Sequence, residues 1–244
     1  KYDFTIRQLA NHTAGIRGYR GKEYALNKAF TIKDSLQLFQ DDELLFKPGT
    51  DYHYNSYGWV LISLAMQEAG GIPFEEYVQE IVLDKLELQN TFPENNLNLS
   101  RSTGKELTKW ATFYSRGRLG FRKAVPVNNQ YKLAGGGYLS TSHDIASFGQ
   151  AYLDKEVFTH PVISEFLTAA TINGASTYYG LGWQVSEDTM GRSYFGHVGN
   201  GVGGYSNLYV YPKEQLVFSI LTNCTNPGIQ DELNESINLI LNNS

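Results

Sequence analysis

The chain has 244 residues with a formal net charge of −5; 41% of it is hydrophobic and 18% charged. At about 150 residues per domain this makes one large domain or two small ones, with apolar content for a sizeable core and no case for wholesale disorder. The acidic balance argues against a phosphate-backbone binder, the longest apolar run (59–66) falls far short of the ~18 residues of a membrane helix, and a lone cysteine, Cys224, excludes an internal disulfide or a cysteine-built zinc site.

Thr5 reads as the N-cap of a short helix that ends before a turn at Gly15. A second helix is expected from Asp34 or Ser35, carrying Leu36, Leu38 and Phe39, and Pro48-Gly49-Thr50 then turns the chain. From Ser56 to Glu68 apolar residues run almost all the way round the helical wheel, the pattern of a buried helix, closed by Gly70-Gly71. Pro73 suits the first turn of a helix from Phe74 to about Leu86. Residues 93–130 are polar and irregular, with 116–122 resembling a turn between short strands. Ser140 to Ser142 offer caps for a helix through Leu153, and Pro161 opens another through about Thr171. Alternating or β-branched runs then predict strands at 179–185, 193–197, 205–211 and 216–223, separated by turn signals at 199–204 and 212–214. An amphipathic helix from Asp231, with Leu233, Ile237, Ile240 and Leu241, closes the chain. This is an α+β pattern with segregated layers: one domain in two lobes, about 1–172 mainly helical and about 173–244 an antiparallel sheet with a C-terminal helix.

The five histidines, His12, His53, His143, His160 and His197, form no metal-binding pair, and no glycine loop ends in Gly-Lys-Ser/Thr, so neither a metal nor a cofactor is expected. Three segments say more. Residues 46–59 deliver Tyr54 through a Pro-Gly turn to the mouth of the buried helix; residues 133–144 form a glycine bend feeding a helix cap; residues 194–200 end a strand in His197-x-Gly199. Each has a plain structural reading on its own: a core-edge tyrosine, turn glycines, a satisfied strand histidine.

In this order, however, the segments resemble the serine β-lactamase and penicillin-binding-protein superfamily, in its class-C-related, esterase-like branch. Residues 5–16 (TIRQLANHTAGI) are similar to that branch's TIRxLLxHTSGI, residues 46–59 to FxPGTxFxYSNxGY, residues 133–144 to AGGGLxSTxxD, and residues 196–205 to GHTGGxxGGF. Residues 131–139 are also similar to the mitochondrial β-lactamase-like members. The resemblance implies a β-lactamase/transpeptidase-like fold, a helical lobe beside an antiparallel sheet flanked by helices. It also implies β-lactam, ester or peptide hydrolysis through an acyl-enzyme formed on an S-x-x-K serine.

Carried over by position, the resemblance makes Tyr54 the phenolic acid/base and puts His197 where a lysine or histidine binds substrate or polarises the site. Gly199 would let substrate lie against the strand edge, and Asn200 would offer its N–H to the oxyanion. Ser56 stands where the branch has asparagine; it is either a hydroxyl replacing the amide or the N-cap of the following helix, and both readings stay open. The implied S-x-x-K helix belongs upstream of residue 5. Ser102-Thr103-Gly104-Lys105 matches those letters, but it follows Tyr54 and lies in a polar stretch, so it is not taken as the nucleophile.

The chain is therefore expected to be a fragment that lacks the nucleophile and the N-terminal part of the sheet lobe, and to be poorly active or inactive alone. An ordinary tyrosine, with pKa about 10, is ionised in only about one molecule in a thousand near pH 7, a deficit of roughly 4 kcal/mol. A mostly neutral histidine at 197 predicts a preference for esters, small peptides and amides over β-lactams. The competing reading is a non-catalytic relative whose cleft binds peptidoglycan peptides or another ligand. Expected partners are a small-molecule or peptide acyl substrate and further copies of the chain, and the resemblance favours a periplasmic or secreted location.

Overall fold

The computed structural model describes residues 2–94, 110–118, 120–154 and 159–243; Ser102 to Lys105 lie outside them. Helix α1 (Ile6–Ala10) begins with a capping box in which Thr5 Oγ1 accepts from Gln8 N at 3.2 Å and Gln8 Oε1 accepts from Thr5 N at 2.9 Å. The residues after it are zipped to the segment that carries Tyr54: Leu45 N donates to Gly15 O, Gly49 N to Thr13 O and His53 N to His12 O, at 2.8 to 3.0 Å. Gly15, at φ +81°, sits so tightly in this zipper that a Cβ would lie 2.5 Å from Phe46 O.

The helix expected near residue 34 is a 3₁₀ helix, Asp34–Leu38. Helix α2 (Tyr57–Gly70) follows the sequence expectation and stops at Gly71, which takes the left-handed conformation at φ 69°. Its buried Tyr57 stacks on Phe39 at 4.2 Å and, with Leu9, Ile16, Phe30, Val60, Tyr131 and Leu133, forms the first core. Helix α3 (Phe74–Val78) runs into a π-helical stretch, Gln79–Leu83, in place of one continuous helix.

Strand β1 (Phe92–Pro93) pairs with β4 (Tyr138–Leu139), and β2 (Tyr114–Gly117) forms the expected hairpin with β3 (Gly120–Lys123). Between β3 and β4 lies helix α4 (Leu133–Gly136). Helix α5 (Ser142–Ala151) is capped by Thr141, whose side chain accepts from Asp144 N. Helix α6 (His160–Phe166) ends five residues earlier than expected. Asn173 and Gly174, both at positive φ, fold β5 (Thr171–Ile172) back onto β6 (Ala175–Ser176), so an Asn-Gly turn outweighs helical continuation.

The main sheet is antiparallel in the order β10 (Leu216–Thr222), β9 (Gly204–Tyr211), β8 (Ser193–Gly201), β7 (Gln184–Glu187). Two boundaries differ from expectation. Residues 179–183 are an irregular turn before β7, with Gly182 at φ +84°, and β8 continues through Gly199 to Gly201, leaving the turn to Val202 and Gly203. On one face of the sheet Ile145, Phe148 and Tyr152, from α5 and the residue that ends it, cover Trp183, Phe195, Leu208 and Val210. On the other, Ile237 and Leu241 of α7 (Gln230–Leu241) cover Tyr209 and Tyr211, while Ile240 points to solvent. Strand β11 (Cys224–Thr225) pairs in parallel with β2. Among the described residues no helix is long and apolar enough to cross a membrane.

Candidate active site

Three distant stretches of sequence meet at a cleft of about 240 Å³ lined by Tyr54, Ser56, Trp59, Ala134, Gly135, Tyr179, Gly182 and His197. Tyr54 arrives from the zipper before α2 and is 47% exposed. His197 projects from β8, its ring centroid 5.9 Å from that of Tyr54. The α4 backbone forms a third wall, where a Cβ on Gly135 would lie 3.6 Å from Ser56 O. Gly182 is fixed by Trp59, since a Cβ there would stand 2.8 Å from the indole.

The structure separates the two readings of Ser56. Its side chain makes no capping hydrogen bond; Asn55 Oδ1 instead accepts from Gly58 N at 2.7 Å, and Asn55 Nδ2 donates to His53 O at 3.0 Å. The Asn55 amide therefore serves the helix end, and Ser56 is one of the residues lining the cleft. Tyr19 lies within hydrogen-bonding reach of the Ser56 side chain, and burial pushes its phenol up to about 12. Behind it, the Lys132 ammonium stands 5.1 Å over the Tyr19 ring and donates to Tyr24 O at 2.8 Å; burial brings this amine down to about 8.

The imidazole of His197 is engaged on both sides: one nitrogen, Nδ1, lies 2.8 Å from Val198 O, and Nε2 lies 2.8 Å from the Tyr179 hydroxyl. A carbonyl oxygen only accepts, so Nδ1 carries hydrogen, and in the neutral ring Nε2 accepts from the phenol. Burial lowers the pKa of His197, against a smaller raising effect of the Val198 carbonyl, and burial raises that of Tyr54. Among the described residues, none that lines the cleft is Lys, Arg, Asp or Glu. Its reactive groups at neutral pH are therefore neutral phenols, a hydroxyl and a neutral imidazole.

Tyr54, Ser56 and His197 thus share one cleft. Gly199 and Asn200 continue along β8 and are not among its lining residues; the Asn200 side chain accepts from Asn226 N at 2.7 Å. Two residues escaped the sequence reading. Tyr179 was placed in a strand, although the Gly180-x-Gly182 that follows signals a turn. His12, fully buried at φ 62°, packs its ring 4.4 Å from Tyr54 and 4.6 Å from Tyr179, and burial drives its pKa down to about 3. Among the described residues no group of His, Cys, Asp and Glu is arranged to hold a metal ion.

The sequence profile of the Beta-lactamase family matches residues 1–242. The chain belongs to that family. It is 30% identical over 222 residues to the serine beta-lactamase-like protein LACTB, mitochondrial, of Homo sapiens, an alignment covering 80% of this chain and 39% of that protein. The chain therefore spans less than half the length of that relative. Two solved structures are similar in fold. The D-stereospecific amidohydrolase from Streptomyces sp. has a TM-score of 0.77 at 22% identity, covering 91% of this chain and 68% of the other. The octameric penicillin-binding protein homologue from Pyrococcus abyssi has a TM-score of 0.74 at 21% identity, covering 90% and 51%. The β-lactamase-family chain has the β-lactamase/transpeptidase-like α+β fold of these serine hydrolase relatives.

Proposed function

We propose that this chain supplies the substrate wall and the proton-transfer groups of a serine acyl hydrolase that cleaves β-lactams, esters or peptides through an acyl-enzyme. The observation that carries the proposal is the meeting of Tyr54, Ser56 and His197, from separate segments, in one cleft. In this reading the lysine of an S-x-x-K segment outside these 244 residues lets Tyr54 give up its own proton, and the resulting phenolate takes a proton from the attacking hydroxyl and returns it to the leaving group. Ser56 turns a hydroxyl toward the acyl group. Among the described residues, β8 beyond Gly196 has no strand partner on the β7 side of the sheet, which in this reading leaves the stretch with Gly199 and Asn200 for a substrate backbone and for the oxyanion.

The nucleophile is proposed to come from an S-x-x-K serine outside these 244 residues, together with further strands of the sheet lobe. The same proposal takes the chain as one domain in two lobes, about 1–172 and about 173–244, with α5 of the first covering a sheet face of the second. The octameric Pyrococcus abyssi relative supports self-association. A second reading, a ligand-binding relative without catalysis, is favoured by the uncharged lining of the cleft and by the raised pKa of Tyr54. Labelling the full-length protein with a fluorophosphonate, followed by intact mass, separates the two. One covalent adduct on a serine, formed far more slowly in Tyr54→Phe, supports the hydrolase; no adduct with either version supports the binding module.

A further inference from the structure

We propose that Tyr179 is a positioning residue that clamps His197 as a neutral imidazole with no free N–H, and thereby makes the cleft disfavour acyl groups that carry a carboxylate, those of β-lactams among them. The substrate half of this inference rests on the acyl-hydrolase reading; the clamp itself does not.

The geometry begins with Tyr179, which is 3% exposed; Ala170 N donates to its carbonyl at 2.9 Å, and the turn after it is tied down where Leu181 N donates to Phe166 O at 2.8 Å and Gly182 N to Ala10 O at 3.1 Å. A Cβ on Gly180 would lie 2.1 Å from Phe166 O, so the turn has little room to shift. The phenol is thereby fixed 2.8 Å from His197 Nε2, with the two rings edge to face at 5.8 Å. Val198 O takes the hydrogen on Nδ1. An imidazole placed this way has spent its donor on the backbone and its acceptor on a phenol. It has neither an N–H nor a positive charge to hold a carboxylate.

The groups facing His197 add no charge. Tyr54 comes from the segment before α2, His12 from the residues after α1, Tyr179 from the turn before β7, and Leu208 lies opposite on β9. His12 is itself neutral, and its interaction with His197 opposes a charge on either ring. An anionic acyl group entering the cleft meets phenols, the Ser56 hydroxyl, an indole and a blocked imidazole, so neutral donors alone, and no cation among these walls, offset its desolvation.

The test uses the full-length protein with ¹⁵N-labelled histidine, the His197 signals being assigned by their loss in His197→Gln. The expected result is a ring with one protonated and one bare nitrogen that does not titrate between pH 6 and 8. In Tyr179→Phe, the loss of the donor to Nε2 moves its midpoint upward by about one pH unit, a tenfold change in proton affinity. In parallel, kcat/KM is compared for an aryl ester bearing a carboxylate and for its methyl-capped twin. Wild type prefers the capped ester by about tenfold or more, and Tyr179→Phe narrows the gap at pH 6 but not at pH 8, mainly through KM. A His197 ring that titrates between pH 6 and 8 in the unmodified protein overturns the clamp without any variant. So does a Tyr179→Phe protein whose His197 protonation is unchanged. An intact clamp with no preference between the esters overturns the substrate restriction, and an intact clamp with turnover of neither ester counts against the hydrolase reading instead.

Discussion

Asn55 and Gly58 are joined by a 2.7 Å hydrogen bond from the Gly58 N–H to Asn55 Oδ1, and this bond, not one from Ser56, finishes the start of α2. The two neighbouring side chains therefore have separable effects. Asn55→Ala exposes an orphan amide donor at a buried helix end and should cost about 1–2 kcal/mol of stability. Ser56→Ala should stay within about 0.5 kcal/mol of wild type while altering turnover. Urea unfolding of both variants decides the matter; a larger loss in Ser56→Ala would reverse the assignment.

His12 gives the fold an acid-sensitive element. The unfolded chain takes up a proton near pH 6.5, whereas the folded protein refuses it until about pH 3, because burial and the nearby His197 and His53 oppose the charge. The contribution to stability is therefore complete above pH 6.5 and is lost as the pH falls toward 3. For one such group the slope reaches about 1.4 kcal/mol per pH unit. His197, also lowered, acts in the same direction. The carboxylates of Asp144, Asp188, Glu23 and Asp42, all held low by hydrogen bonds or ion pairs, weaken the fold only below the ordinary carboxylate range near pH 4. Urea midpoints between pH 7 and 5 thus report chiefly on the histidines. His12→Asn, which tolerates the positive φ at this position, should flatten that slope; an unchanged slope would remove His12 from the account.

Gly149 lets α5 approach the sheet. A Cβ there would stand 2.8 Å from Val217 Cγ1 and 3.1 Å from Leu208 Cδ1. Alanine gains about 1 kcal/mol of helix propensity over glycine, but overpacking a tight contact costs about 1–3 kcal/mol. Gly149→Ala should therefore destabilise on balance. The added methyl would partly fill the space that Val217→Ala opens, so the double variant should lose less than the sum of the single losses. Thermal unfolding of all three variants measures the coupling, and strict additivity would refute the contact.

Much of this arrangement was legible in the sequence because it rests on local rules. Thr5 marks an N-cap, Gly70-Gly71 closes a helix that is apolar almost all the way round, and Ile237 and Leu241 mark a helix face four residues apart. Tyr54, Ser56 and His197 were found through motif order, since no local rule places a tyrosine 143 positions before a histidine that it meets in space. What was misjudged depended on competition. The strand expected at 179–185 begins only at Gln184, because a turn with Gly180 and Gly182, where no Cβ fits, takes the residues before it. The helix after Pro161 stopped at Phe166, and Thr171, where it was expected to end, lies in a hairpin turned by Asn173-Gly174. His12 and Tyr179 were not singled out, because their roles come from ring packing and a hydrogen bond made across the fold.

Tyr54 provides the sharpest test of where the nucleophile lies. Its phenol is half exposed, so Tyr54→Phe removes a hydroxyl and little packing, and the variant should fold as wild type does. On the proposed acyl-hydrolase reading, in which these residues are part of a longer protein, removing the acid/base group should lower kcat of that protein by about two orders of magnitude or more, with KM nearly unchanged. The 244-residue polypeptide should behave differently. Burial raises the pKa of Tyr54, and the lining of the cleft contributes no cation to offset it. Hydrolysis of an activated ester by this polypeptide should therefore barely exceed the buffer rate, and Tyr54→Phe should leave it unchanged. Circular dichroism on the same samples establishes that both are folded. Clear turnover by the 244 residues that disappears with Tyr54→Phe would place the nucleophile inside them, and Ser102 would then be the first serine to replace.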